Sequence, residues 1–179
     1  MKSKLLLIAI PIIGLIACDD LASVKIDTTL TKNMKVDIVG ESAMEVVNLK
    51  SATETGFPFY EVDTINLAEN NDLKKYLDDI DELEVYKVSC KLNGIPEGEA
   101  ITELTVFSNT AGLSVTITNI TENNSSAELE ISAAILKALG ELLLQYEVLE
   151  VGVSGSSTFA PMTLSVELSF ETTVKAGLF

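Results

Sequence analysis

Hydrophobic and polar residues alternate along much of this chain with a period of two. From Val24 the apolar positions fall at 24, 26, 30, 34, 36 and 38, all of one parity, with Lys25, Asp27, Lys35 and Asp37 on the other. Strand side chains point alternately to two faces, so this run predicts a half-buried strand, or two strands in phase with Thr31-Lys32-Asn33 as a bulge or turn. Gly40 ends it. Residues 44–49 and 58–67 alternate less regularly. Within Gly56-Phe57-Pro58-Phe59 the proline cannot donate to a ladder, which predicts a loop feeding an edge strand. Leu73, Tyr76, Leu77 and Ile80 then recur at i, i+3, i+4 and i+7 behind the capping residues Asn70-Asn71-Asp72, the pattern of a short amphipathic helix. Period two returns at once, with Tyr86, Val88, Cys90 and Leu92 sharing one strand face.

Leu104 and Val106, a turn over 109–112, and Leu113, Val115 and Ile117 read as a hairpin. A polar loop over 119–126 and a brief strand through Leu129 and Ile131 lead to Ser132, which caps a second helix. Its Ile135, Leu139, Leu142 and Leu143 face inward, and Lys137, Glu141 and Gln145 form a polar stripe. Gly140 inside that helix costs about 1 kcal/mol against Ala, so packing rather than propensity has to hold it. Leu149, Val151 and Val153 form another strand, residues 155–161 a loop, and the alternation from Met162 to Glu171 the plainest strand of all. Closely spaced strands without βαβ alternation predict a mainly β protein: an antiparallel β-sandwich of about seven to nine strands with two short covering helices.

The first residues have a different layout. Lys2 and Lys4 precede an apolar run from Leu5 to Ile13, followed by Leu15-Ile16-Ala17-Cys18. The run is short for a membrane span and has the order of a secretory leader. Leu15-Ile16-Ala17-Cys18 resembles the lipobox of bacterial lipoproteins. That resemblance implies cleavage after Ala17 and acylation of the Cys18 thiol, dividing the chain into a signal peptide (1–17), a lipidated N-terminus and tether (18–22) and one sandwich domain (23–179). Two or three acyl chains hold a protein on a membrane where one gives only reversible contact. Asp19 and Asp20 resemble the acidic sorting signal that sends Bacteroidota lipoproteins to the outer face of the outer membrane; in enterobacteria an Asp at that place resembles a retention signal, leaving a periplasm-facing location as the alternative. The wider layout is similar to small lipoproteins of Bacteroidota: Asp27-Thr28-Thr29 in the first strand, a Leu73/Tyr76/Leu77 helix feeding Tyr86-Lys87-Val88, a late Leu-rich helix and a closing hairpin.

Composition narrows the chemistry. The chain has 12 basic residues, all Lys, against 27 acidic ones and no His, a net charge of −15. Such a surface repels nucleic acid, and without Arg it lacks the bidentate fork that phosphate recognition favours. The absence of His removes Ser-His-Asp and Cys-His catalysis and most zinc sites. If Cys18 carries lipid, Cys90 has no partner in the chain and reads as a buried structural thiol. Gly152-Val153-Ser154-Gly155-Ser156 departs from a nucleophile elbow in its fifth residue and in having no helix after it. Asp78, Asp79 and Asp81 form a candidate weak Ca²⁺ site without the turn-making Gly of an EF-hand. Asp63-Thr64-Ile65 resembles the three-residue O-glycosylation pattern of exported Bacteroidota proteins, with Thr64 a better acceptor than Thr28, whose parity directs it inward. Paired carboxylates are available for glycoside chemistry, but the chain has no Trp and only 6 Phe and 4 Tyr, most on predicted core faces. The expectation is a non-enzymatic, membrane-attached protein-interaction subunit of an outer-membrane assembly. It implies no cofactor, metal or nucleic acid and a protein partner whose identity is open. A carrier for an apolar ligand, lidded by the helix at 133–145, is the alternative.

Overall fold

The computed structural model describes residues 23–40 and 56–177. Eight strands and one α-helix follow in the order β1 (Ser23–Ile38), β2 (Phe57–Asn66), β3 (Ile80–Asn93), β4 (Ile101–Ser108), β5 (Leu113–Ile120), β6 (Ser126–Glu128), α1 (Ala133–Tyr146), β7 (Val148–Ser157) and β8 (Met162–Gly177). They form two antiparallel four-stranded sheets, β1-β8-β3-β6 and β2-β7-β4-β5, packed as a β-sandwich. The core between them is built from the alternating positions: Leu164, Val166, Leu168, Phe170 and Val174 from β8 meet Leu104, Val106, Val151 and Val153 from the other sheet, all fully buried.

The first alternating run is one continuous strand. β1 pairs with β8 without interruption from Ser23↔Gly177 to Ile38↔Met162, so Thr31-Lys32-Asn33 is neither bulge nor turn. Pro58 lies on an edge strand as its missing N–H requires, because among the described residues β2 pairs only with β7. At the rim the inward positions of the two edge strands carry opposite charges. Lys32 Nζ on β1 reaches across the sandwich to Asp63 Oδ1 on β2 at 2.8 Å.

Three local expectations give way. Residues 73–80 are not helical. Asn70 Oδ1 accepts from the backbone N–H groups of Asp72 and Leu73, and the chain closes successive three-residue turns, Leu73 N–H to Asn70 O and Tyr76 N–H to Leu73 O, ending in a 3₁₀ turn at Leu77–Asp79. The apolar stripe is too short to repay helix nucleation, local Asn side chains compete for the backbone, and Ile80 is already drawn into β3. On β3, Tyr86 does not share the face of Val88, Cys90 and Leu92. A bulge between Val85 and Lys87 switches the buried parity from Leu83 and Val85 to the even positions and leaves Tyr86 outside. The closing hairpin is also absent: β7 and β8 lie in different sheets. Both flanks of β7 are taken, by β2 and β4, so residues 158–161 cross to the other sheet, held by Thr158 N–H donating to Ala100 O at 2.9 Å.

The second predicted helix forms where expected. Ser132 Oγ accepts from Ile135 N–H, and Leu139 and Leu143 are wholly buried, together worth an upper estimate of about 3–6 kcal/mol against the 1 kcal/mol that Gly140 costs. Gly140 also has a packing reason. A Cβ there would stand 2.5 Å from the Leu83 carbonyl oxygen, so the helix lies against the backbone of β3. β6 pairs with β3 only at 89–91, and α1 covers the flank that β6 leaves open.

Candidate interaction surface

The outer face of the β2-β7-β4-β5 sheet is assembled from the positions opposite in parity to the core. β2 contributes Pro58, Tyr60, Val62 and Thr64, β7 Glu150, Gly152, Ser154 and Ser156, β4 Glu103, Thr105 and Phe107, and β5 Ser114, Thr116 and Thr118. Strand register aligns them in rows. Tyr60, Ser154, Thr105 and Thr116 lie side by side across four strands, with Val62, Gly152, Phe107 and Ser114 in the next row.

Two aromatic rings give this face its relief. Tyr60 is 64% exposed, and its ring lies 5.6 Å from that of Phe107, nearly parallel at 25°. Gly152 makes room for the pair, since a Cβ there would sit 2.3 Å from Phe107 Cζ. Around the rings the hydroxyls are partly satisfied within the sheet. Thr105 Oγ1 and Thr116 Oγ1 lie 2.9 Å apart in a hydrogen bond across β4 and β5, and Thr102 Oγ1 donates to Ser156 O at 3.0 Å.

The two sheets differ sharply in charge. No strand of the β2-β7-β4-β5 sheet contains a lysine, and Glu103 and Glu150 are the carboxylates on its outer face. The other sheet mixes signs. Lys87 bridges Glu171 at 3.0 Å and Glu128 at 3.4 Å, Thr173 donates to Asp27 at 2.7 Å and Thr163 to Asp37 at 2.6 Å. Those carboxylates raise the Lys87 pKa, the Glu171 hydrogen bond first among the causes.

Cys18, Asp19 and Asp20, with the segment 44–49, lie outside the described residues. Among the described residues no helix is long and apolar enough to cross a membrane. Thr64 is exposed on the outer face just described, while its neighbour Asp63 turns inward to Lys32, whose hydrogen bond is the main cause lowering the Asp63 pKa. Thr28 is half-buried and engaged, donating to Asp72 Oδ2 at 3.0 Å. Asp78 and Asp79 sit in the 3₁₀ turn and Asp81 at the exposed start of β3, and among the described residues no group of three or more Cys, Asp or Glu is placed to hold a metal ion; the candidate Ca²⁺ cluster does not converge. Ser154 lies within β7 rather than on a strand-to-helix turn, so the elbow geometry is not formed. Cys90 is buried at 1% exposure, and desolvation pushes its pKa up to about 12.

Tyr60 and Phe107 are the residues that sequence reasoning passed over. Their signal was parity: Tyr60 alternates out of phase with Phe59 and Ile65, and Phe107 falls between Val106 and Ser108.

Comparison with known proteins assigns no family. No family model matches the chain, and no curated protein matches it. Among solved structures 17 chains match, one from Desmodium yellow mottle tymovirus at 9% identity and a TM-score of 0.33, covering 100% of this chain and 92% of that one. A likeness that loose carries no argument.

Proposed function

We propose that this chain is a non-enzymatic docking subunit of the bacterial envelope, tethered by lipid at Cys18 and presenting the outer face of the β2-β7-β4-β5 sheet to another protein. The observation that carries the reading is a lysine-free face, mostly Tyr, Phe, Thr and Ser with two carboxylates, Glu103 and Glu150, on a chain of net charge −15. Covering neutral hydroxyls and aromatic rings costs far less desolvation than covering ions, and aromatic residues such as the exposed Tyr60 are enriched where proteins meet. The tether places this domain at the outer membrane, facing the cell surface, with a periplasm-facing position as the alternative.

A photo-crosslinking residue at Thr105, in the full chain in intact cells, tests the reading. Adducts to a second polypeptide are expected there and not from the same group at Ser165 on the other sheet. Equal capture at both, or none at Thr105, overturns it. The tether has its own test: Cys18→Ser abolishes acylation and membrane retention, and a variant that is processed and retained like the native chain removes it.

The carrier alternative has no comparable support. In the helix expected to lid a cavity, Leu139 and Leu143 are wholly buried, and concavities of about 600 and 500 Å³ lie on the flanks, beside α1 and β3 and beside β1 and β2.

A further inference from the structure

The sandwich has four sheet edges, and their protection is unequal. β1 carries Lys25, Asp27, Lys35 and Asp37 along its exposed positions, with Lys32 pointing inward. β2 has Pro58 near its start and Asp63 facing inward, and β6 is only three residues long. Charges, inward-pointing ions, proline and shortness are the usual devices that stop a sheet edge from pairing with another strand. β5 has none of them. Leu113–Ile120 has no charge, no proline and no glycine, its alternation is regular from Leu113 to Thr118 before Asn119 turns left-handed at φ 56°, and β4 is its one strand partner among the described residues. Its inward residues Val115 and Ile117 are only half-buried, because the opposite sheet ends on this side in the three-residue β6.

We infer that β5 pairs antiparallel with β5 of a second copy of this chain, joining two four-stranded sheets into one of eight strands. The pattern is self-complementary. A two-fold axis perpendicular to the sheet preserves inner and outer faces when a residue sits opposite its own copy, which antiparallel pairing of identical strands allows. With the axis at Thr116, Val115 lies opposite Ile117 of the second copy on the inner face, and Ser114 opposite Thr118 on the outer one. The Thr105–Thr116 pair, already bonded at 2.9 Å, then continues as a ladder of four threonines. The pairing closes the open side over Val115 and Ile117 and doubles the lysine-free face. It stands apart from the docking reading, which concerns what that face contacts.

One edge strand makes a small contact, and two copies of net charge −15 repel. The association is therefore weak and strengthened by salt, since screening shortens the repulsion without touching the uncharged edge.

Sedimentation of the detergent-solubilised full chain up to about 100 µM, at low and high salt, reads it. A dimer population that grows with salt is expected. Thr116→Lys, a charge on the free edge, shifts the midpoint at least about tenfold towards monomer with an unchanged far-UV circular dichroism spectrum. Thr116→Cys forms an interchain disulfide on mild oxidation, because directly opposed residues bring their Cβ atoms within reach, while Lys35→Cys on the β1 edge does not. A chain that stays monomeric at both salt concentrations overturns the proposal. So does a Thr116→Cys thiol that captures a different polypeptide, or a Lys35→Cys dimer of equal yield.

Discussion

Gly140→Ala separates helix propensity from packing because the two push in opposite directions. In an exposed helix the change stabilises by about 1 kcal/mol. Here the new Cβ would meet the Leu83 carbonyl oxygen at 2.5 Å and the Val85 nitrogen at 3.4 Å. Both are backbone atoms of a strand paired to β8, so neither can rotate away. Ordinary contact requires α1 to back off by about 0.9 Å, which loosens Leu139 and Leu143 in a core that tolerates little empty space. Overpacking of this kind costs about 1–3 kcal/mol, and a rigid backbone neighbour puts it in the upper part of that range.

The net expectation is a destabilisation of about 1–2 kcal/mol, a fall in Tm of roughly 3–8 °C for a domain of this size. Urea unfolding followed by circular dichroism measures it. Ala134→Gly, exposed in the first turn of the same helix, is the control and should lose no more than about 1 kcal/mol through propensity alone. A Gly140→Ala protein with a higher urea midpoint than the native chain would refute the close approach of α1 to β3.

Ser108 Oγ is buried at 1% exposure without a hydrogen-bond partner among the described residues, so Ser108→Ala should be neutral or stabilise by up to about 1 kcal/mol; a clear loss of stability on urea unfolding would mean that the hydroxyl is bonded. Asp63 has its pKa lowered chiefly by Lys32, so its contribution is present above the unfolded value and lost as pH falls through the folded one. Lys32→Met should cost up to about 1 kcal/mol at pH 7, with the loss fading as pH falls below about 4 and Asp63 is protonated in both proteins; a loss that persists undiminished in acid would count against the bridge. Cys90, with its thiol pushed up to about 12, should resist alkylation in the folded protein and label only on unfolding; rapid native labelling of its peptide, followed by mass spectrometry, would contradict its burial. Gly152→Ala should displace the Phe107 ring and weaken crosslinking from the outer face at Thr105 while leaving the core strands folded; unchanged crosslinking would detach the aromatic pair from the docking reading.

What the sequence makes legible is whatever depends on local parity. β8 keeps one buried parity from Leu164 to Ala176, and β1, the β4–β5 hairpin, Pro58 at an edge and Ser132 at the helix start are readable for the same reason. Parity fails where one residue is inserted. The bulge before Lys87 throws Tyr86 outward, and nothing near it marks the change. The stretch from Leu73 to Ile80 repeats at helical spacing, yet only Leu73 is buried, because Asn70 and the start of β3 claim the backbone first. Sheet membership is not local at all. The four residues after β7 look like a hairpin connection until it is known that β2 and β4 already occupy both of its flanks.

The same distinction explains why the candidate face went unread. Each of its residues is an ordinary outward position on its own strand, and the face exists only once β2, β7, β4 and β5 lie side by side, an order that no stretch of sequence contains. Its charge content then gains meaning by contrast. Cross-strand polar pairs contribute about 0.2–1 kcal/mol each, and the β1-β8-β3-β6 sheet uses them freely, as ion pairs around Lys87 and as hydroxyl–carboxylate hydrogen bonds from Thr163 to Asp37 and Thr173 to Asp27. The other sheet forgoes cross-strand ion pairs on a chain with acidic residues to spare. It retains instead a face whose hydroxyls bond within the sheet and whose rings lie open, for which the desolvation cost of being covered is low. A surface shaped by solubility alone would mix both signs there, whereas this face holds Glu103 and Glu150 and no lysine to pair with them.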